Sequence, residues 1–412
     1  MSSAAKLRVS PPPGLPRDEL IARIPALALE IAKDASRRDL DRELPFAAFR
    51  LFRQSGLGAL RIPIELGGPG GSVADCIGLI ETIAAADSNV AHALRSHFNF
   101  TEALVLSPEA PKARLGLERV LEGALFGGAH TEQGGPKAGL AVSTTLTKVG
   151  ASYRLNGKKW YATGTAFADY ASFSANTETG DFVSVLIPVA RQGVTILDDW
   201  DGMGQRLTAS GGVLLEDVEV FPQELSYRQL NDLAGRHTST LRQLHLAACA
   251  AGIVRNVVTD ATAYIQKQAR AAAHSAAATA AEDPFVQQTI GLLAANSFVI
   301  DAAIAESARA LDRTANAFLA NVPEAEIEAL LIDSALSTAR TQITTGQLAL
   351  QAAQSMFETG GGSATSRKYN FDRHWRNIRT LLNHNPLNHK ARVVGDYLVN
   401  GTATHLAEGK VF

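Results

Sequence analysis

The sequence has little of what marks several protein classes. Only two cysteines occur among 412 residues, Cys76 and Cys249, far apart and in helix-like surroundings. No disulfide framework exists, and both read as small buried apolar residues. No excess of one charge exists either: Lys and Arg total 39 against 41 Asp and Glu, a net charge of −2. Nucleic-acid binding draws its affinity from clustered cations, so that class is excluded. The stretch from Met1 to Pro16 holds Pro11-Pro12-Pro13 and no apolar run, unlike a signal peptide. The longest apolar stretch, Leu244 to Val254, is interrupted by His245 and is shorter than the roughly 20 residues of a membrane span. A cytoplasmic protein without nucleic acid or membrane as partner is expected.

Metal and nucleotide motifs are also missing. HExxH, a Cys/His pair at ligand spacing and a carboxylate-rich loop are absent, so no metal site is expected. No P-loop, no GxSxG turn and no strand-linked GxGxxG occurs, which argues against a nicotinamide-binding unit.

What is present falls into three parts. From Arg17 to about Leu121 apolar residues recur at three- and four-residue steps, as in Leu20, Ile24, Leu27 and Ile31. A glycine-rich loop from Ile62 to Ser72 interrupts this, with Ser72 placed to cap a helix from Val73 to Ala86; a further helix after Asp87-Ser88 carries His92, His97 and Asn99. Between about Phe126 and Pro222 short β-branched segments alternate with turn residues, and Asn156-Gly157 predicts a hairpin turn. From Ser226 onward the chain is alanine-rich and helical, with a seam at Val286, Ile290, Leu293, Ser297, Ile300, Ile304, Ala308 and Leu311. The expected fold is α+β and mostly α: a helical domain over 1–123, a small β-barrel or sandwich over 124–225, and a helical bundle over 226–412. That length suits one integrated protomer, and the modest charge predicts surface buried between subunits.

Several segments, in order, resemble the acyl-CoA dehydrogenase superfamily. They are Ile62-Pro63-Ile64-Glu65-Leu66-Gly67-Gly68, Thr131-Glu132-Gln133-Gly134-Gly135, Leu155 through Gly164, Asp199 through Arg206, and Glu216 through Pro222. Within it, Thr163 through Asp169, Asp199 through Gly211 and Asp372 through Thr380 look like the reduced-flavin-dependent monooxygenases of organosulfur compounds such as dibenzothiophene and dimethyl sulfone. The resemblance implies an acyl-CoA dehydrogenase-like fold with a C-terminal four-helix bundle. It implies reduced FMN delivered by a separate NAD(P)H:flavin reductase, O2 captured as a C4a-hydroperoxide, and transfer of one oxygen to a small electron-rich substrate. It also implies a homo-oligomer, a tetramer by preference.

One stretch separates this reading from dehydrogenation of acyl-CoA with FAD. Asn383-His384-Asn385-Pro386 stands where a Glu-Gly-Thr base is common, and abstraction of a proton α to a thioester needs such a base. Some dehydrogenases carry that base on another helix, so the FAD enzyme stays open, as does a non-catalytic flavin-binding protein. Histidine titrates near neutrality and suits a flavin oxygenase, so His384 is the expected catalytic group, with His97 on the floor of the substrate pocket. His92 is expected to face elsewhere. By the resemblance Thr131, Trp160 and Thr163 line the flavin, Arg270 meets its phosphate, and Gly361-Gly362-Ser363 cradles phosphate from a neighbouring subunit. Ala162 and Gly128 stand where relatives carry a hydroxyl and an Asn. Arg373, Arg376 and Arg379 share a helix face suited to ion pairs.

Overall fold

A computed structural model describes residues 15–110, 113–134, 142–227 and 232–407. Six helices come first: α1 (Arg17–Ala32), α2 (Ala35–Asp41), α3 (Phe46–Ser55), α4 (Val73–Ala93), α5 (Arg95–Leu106) and α6 (Ala113–Leu121). Strands β1 (Phe126–Ala129), β2 (Thr145–Val149), β3 (Ser152–Lys159), β4 (Tyr170–Thr177), β5 (Phe182–Pro188), β6 (Val194–Ile196), β7 (Val213–Val220) and β8 (Leu225–Tyr227) follow. The rest is helical: α7 (Leu233–Lys267), α8 (Pro284–Leu319), α9 (Glu324–Ser355), the short α10 (Gly361–Ala364), α11 (Asp372–Leu382), α12 (Leu387–Asn400) and α13 (Thr404–Ala407).

Ser72 caps α4 as expected, and the Asp75 carboxylate reaches back to its backbone N–H. α4 breaks at Asp87, where φ −154 and ψ 105 leave the helical region.

The eight strands form one sheet in the order β6-β7-β3-β2-β4-β5-β8, with β1 parallel to β4. Leu155, Phe173, Val185, Val213 and Val218 fill its own core. The hairpin expected at Asn156-Gly157 is not there. β3 runs straight through these residues, and the turn between β2 and β3 falls at Gly150-Ala151. Asn156 instead stands opposite a bulge in β7, where Glu216 and Asp217 together face it: Asn156 Oδ1 accepts from the Asp217 N–H, and a Cβ on Gly157 would collide with Thr144 Oγ1 at 2.3 Å.

The helices before and after the strands share one core, in which α1 packs against α4 and α4 packs against α7 and α8. Gly252 lets α7 approach α4 closely, since a Cβ there would lie 2.4 Å from the Glu81 carbonyl oxygen. α7, α8 and α9 pack as three long helices, with α11 and α12 against them. The seam through Leu293, Ile300, Ile304, Ala308 and Leu311 is buried. α8 is nonetheless long and apolar enough to cross a membrane, which no residue run in the sequence had suggested. Its outer face exposes Phe285, Leu292 and Phe298.

Candidate active site

The strand β3 ends in an irregular segment, Trp160 to Gly164. A single bridge joins Trp160 to Thr131, with the Trp160 N–H donating to the Thr131 carbonyl at 2.8 Å. Tyr161 then takes a left-handed φ of 56, and its ring stands exposed between Trp160 and Trp200. Gln205 and Ala209, on the facing loop, are left-handed as well. Such conformations in non-glycine residues tend to gather at working sites. Because the strand is not regular here, alternation does not set the direction of Thr163. Its hydroxyl is buried against Ser210 Oγ at 2.7 Å, and Ser210 passes the chain to Thr208 at 2.6 Å.

This segment touches the end of α4. Gly164 has φ +78, and a Cβ there would lie 2.1 Å from the Ala93 carbonyl oxygen. Arg95 begins α5 two residues later. Its Nη2 donates to His384 Nε2 at 3.0 Å. His384 lies between α11 and α12, where Pro386 starts the second helix. Its Nδ1 therefore carries the proton and donates to Asn385 Oδ1 at 3.3 Å, and Asn385 Nδ2 donates on to Gln243 Oε1 on α7. His384 is exposed, and its ring is neutral, because the Arg95 guanidinium beside it pushes it down to about 3. A recess walled by Leu246, Leu381, Leu382 and Leu387 opens beside Asn385.

His92 also faces this cluster, against the expectation that it would face elsewhere. Its Nδ1 donates to Gln205 Oε1 at 3.1 Å, and Gln205 Nε2 donates to Ser88 Oγ. Burial, together with Arg95 and His384, holds His92 well below its ordinary value. Its Nε2 is a buried lone pair without a partner.

His97 differs. It is 1% exposed, its Nε2 donates to the Gly58 carbonyl at 2.9 Å, and its Nδ1 accepts from the Phe126 N–H at 3.4 Å. Burial pushes it down to about 4. Both nitrogens are thus spent on joining α5 to the 57–59 turn and to β1. Glu102 fixes the same helix to α7, pairing with Arg61 at 2.6 Å and His237 at 3.1 Å.

Thr131 leads into Glu132, which ion-pairs with the buried Lys159 and accepts from Ser143 and Thr144. A side chain at Gly128 would start 3.2 Å from His130 Nε2, so the His130 ring occupies the place that a longer residue would take. The loop Asp199–Gly211 docks on two helices: the Gln205 N–H donates to Asn377 Oδ1, and the Leu207 N–H to Asn89 Oδ1. Arg376 and Arg373 pair with Asp39 and Asp260, as ion pairs between helices.

Arg270 and Gly361-Gly362-Ser363 lie elsewhere. All four are exposed. Arg270 follows the end of α7, and the neighbouring Gly360 packs on Tyr264 of that helix. Gln243, which serves His384, lies 21 residues earlier on α7, a separation of roughly 30 Å at 1.5 Å per residue. One chain does not bring these residues to His384.

Among the described residues no group of His, Cys, Asp or Glu could hold a metal ion. What the site offers is an aromatic wall at Trp160, the backbone edge of the Thr131–Trp160 bridge, and an unpartnered buried acceptor on His92. That set fits a planar heterocycle with polar edges.

Three consecutive acyl-CoA dehydrogenase domain models match the chain: the N-terminal domain at 26–113, the middle domain at 128–218 and the C-terminal domain at 244–389. The chain belongs to the acyl-CoA dehydrogenase superfamily. Within that superfamily its relatives are flavin monooxygenases. It is 28% identical over 379 residues to a probable FMNH2-dependent monooxygenase, SfnC of Pseudomonas putida, spanning 91% of this chain and 93% of the relative. FMN-bound TdsC from Paenibacillus sp. A11-2 superposes with a TM-score of 0.83 at 29% identity, over 93% of this chain and 98% of the other. The methanesulfinate monooxygenase MsuC of Pseudomonas fluorescens gives 0.82 at 26% identity, over 93% and 97%.

Sequence reading missed His92, Arg95, His130 and Gln205. Arg95 is two residues from His97 in sequence, but only the packing of α5 on the 383–386 turn selects it.

Proposed function

We infer that this chain is a reduced-FMN-dependent monooxygenase that oxygenates a small, electron-rich organosulfur substrate. The observation that carries this reading is the neutral His384, whose strongest charged neighbours are Arg95, Arg242 and Lys390, none of them a carboxylate. Proton abstraction next to a thioester needs a positioned base of adequate strength, and a histidine held near 3 beside a guanidinium is a poor one. An oxygen transfer asks instead for hydrogen-bond donors and acceptors around a leaving oxygen, in a site that keeps water out.

Reduced FMN, supplied by a separate NAD(P)H:flavin reductase, provides the two electrons that activate O2. Thr131 and Trp160 would hold the ring edge, with Thr163 fixing the turn beneath through Ser210. The buried Nε2 of His92 accepts a hydrogen bond from an N–H or O–H group entering the site. Arg95 donates to His384 Nε2, and its remaining N–H groups would be free to bind an oxygen of the bound reactants, with the neutral His384 ring orienting the guanidinium. His97 is given the joining role that its two backbone bonds describe.

Arg270 and Gly361–Ser363 would serve the phosphate in a second copy of the chain, since roughly 30 Å of α7 separates them from their own His384. A second copy also covers the apolar outer face of α8, in a homo-oligomer for which a tetramer is our preference. Free, buried Cys76 and Cys249 suit a reducing compartment, and we place the protein in the cytoplasm.

Rapid mixing of reduced FMN and the protein with oxygenated buffer tests the reading. A transient absorbing species, distinct from reduced and oxidised flavin and shortened by substrate, is expected. Flavin oxidation at the rate of free FMN, with peroxide as the sole product, would defeat it.

A further inference from the structure

His384 stands between partners whose chemistry fixes the direction of every hydrogen bond. On one side Arg95 Nη2 lies 3.0 Å from its Nε2, and a guanidinium only donates, so Nε2 accepts. On the other side Nδ1 meets Asn385 Oδ1 at 3.3 Å. An amide turned over would present its N–H groups to Nδ1 and ask for the opposite tautomer. What prevents this lies one layer deeper, between the long helices. Asn385 Nδ2 donates to Gln243 Oε1 at 2.5 Å, and Gln342 Nε2 approaches the same oxygen at 3.4 Å. Gln342 Nε2 also donates to the Gln243 backbone carbonyl at 3.1 Å. A carbonyl only accepts, so reversing Gln342 would set oxygen against oxygen. Gln243 on α7 and Gln342 on α9 are 7% and 6% exposed, among Leu244, Ala247 and Ala339. Two primary amides buried there cost desolvation that apolar side chains would avoid, and the directed chain of bonds offsets it.

We propose that Gln243, held by Gln342, is a positioning residue that fixes His384 as its Nδ1–H tautomer and so aims Arg95 at the reactants. The proposal rests on the monooxygenase reading above and names residues that act on that site without touching substrate or flavin. The Arg95 guanidinium keeps His384 uncharged, and only an uncharged ring has two tautomers to choose between. In water the neutral imidazole favours the proton on Nε2, so the chain of amides works against the ring's own preference. With the proton on Nε2, two donors would face each other and Arg95 would turn away. Gln243 thus reaches Arg95 through Asn385 and His384, from α7 to the start of α5.

Nitrogen NMR of the full-length protein without flavin, with only its histidines isotope-labelled, tests the proposal at about pH 8, where the ring is uncharged. Protonated and bare ring nitrogens resonate far apart, and the H384Q spectrum identifies the His384 signals. Wild type is expected to show one His384 tautomer, with a bare Nε2. Gln243→Met keeps the length and removes the acceptor, so a mixture or the Nε2–H form is expected. Gln243→Glu keeps an acceptor oxygen for both amides and should restore the single form. A wild-type ring with its proton on Nε2, or a Q243M spectrum unchanged from wild type, would overturn the proposal. Where Q243M does not fold, Gln342→Met, which leaves Gln243 free to turn over, reads the same change. Coupling then shows whether the tautomer serves the chemistry. Product per FMNH2 consumed should fall about fivefold in Q243M, what about one hydrogen bond is worth, with FMN affinity unchanged and recovery in Q243E. A changed tautomer with unchanged coupling defeats the aiming role. A wild type with the single tautomer that oxygenates no sulfur compound upholds the fixed tautomer and defeats the monooxygenase.

Discussion

Acidification is predicted to destabilise this protein through two histidines that take no part in the chemistry. His97 and His245 are 1% and 2% exposed, and burial holds them at about 4 and about 3. His97 spends both nitrogens on backbone, and His245 Nε2 donates to the Ala91 carbonyl at 2.8 Å. Both folded values are depressed below the ordinary 6.5, so between that value and the folded one only the unfolded chain takes up the proton. Stability is therefore full above pH 6.5 and falls as the pH drops toward 4. Each pH unit in that window costs about 1.4 kcal/mol per histidine, so the pair costs about 4 kcal/mol by pH 5. Urea denaturation at pH 7 and pH 5 measures the loss. In His97→Gln, where an amide can still donate to Gly58, the loss on acidification should shrink by about 2 kcal/mol. An H97Q variant that loses as much as wild type would show that His97 titrates as a solvated group, and the joining role assigned to it would be wrong.

Two other substitutions probe the site from its two sides. Gly164→Ala forces a Cβ into a left-handed residue and against the Ala93 carbonyl, so a loss of about 3 kcal/mol and weaker FMN binding are expected in thermal melts and flavin titrations; a variant that melts and binds like wild type would remove that contact from the account. His384→Ala should leave flavin binding intact while product per FMNH2 consumed falls by tenfold or more and hydrogen peroxide rises; unchanged coupling would take His384 out of the mechanism.

Much of the fold was legible because it is written in local pattern. The Leu20–Ile31 and Leu293–Leu311 stripes announce buried helix faces, and Ser72 with Asp75 announces a helix start. Asn156-Gly157 misled because pairing with β7 holds the dipeptide in a strand, and the bulge it faces lies at Glu216-Asp217 of β7. For the site, local motifs pointed to Thr131, Trp160, Thr163 and His384, of which the structure joins Thr131 to Trp160 and sets His384 against Arg95. His92 joins it because the kink at Asp87 redirects the end of α4, and Arg95 because α5 meets the turn after α11. Neither arrangement has a local signature. The separation of Arg270 from His384 is likewise invisible until the unbroken length of α7 is known.

The uncharged His384, held by Arg95, bears on one claim: the chain uses reduced flavin and O2 to oxygenate sulfur. Stopped-flow mixing of reduced FMN, protein and O2, followed from milliseconds to seconds, tests it most directly. The account predicts a transient species that outlives the oxidation of free FMN and decays faster when an organosulfur substrate is added. Simple oxidation at the free-flavin rate, unaffected by any sulfur compound, would contradict it.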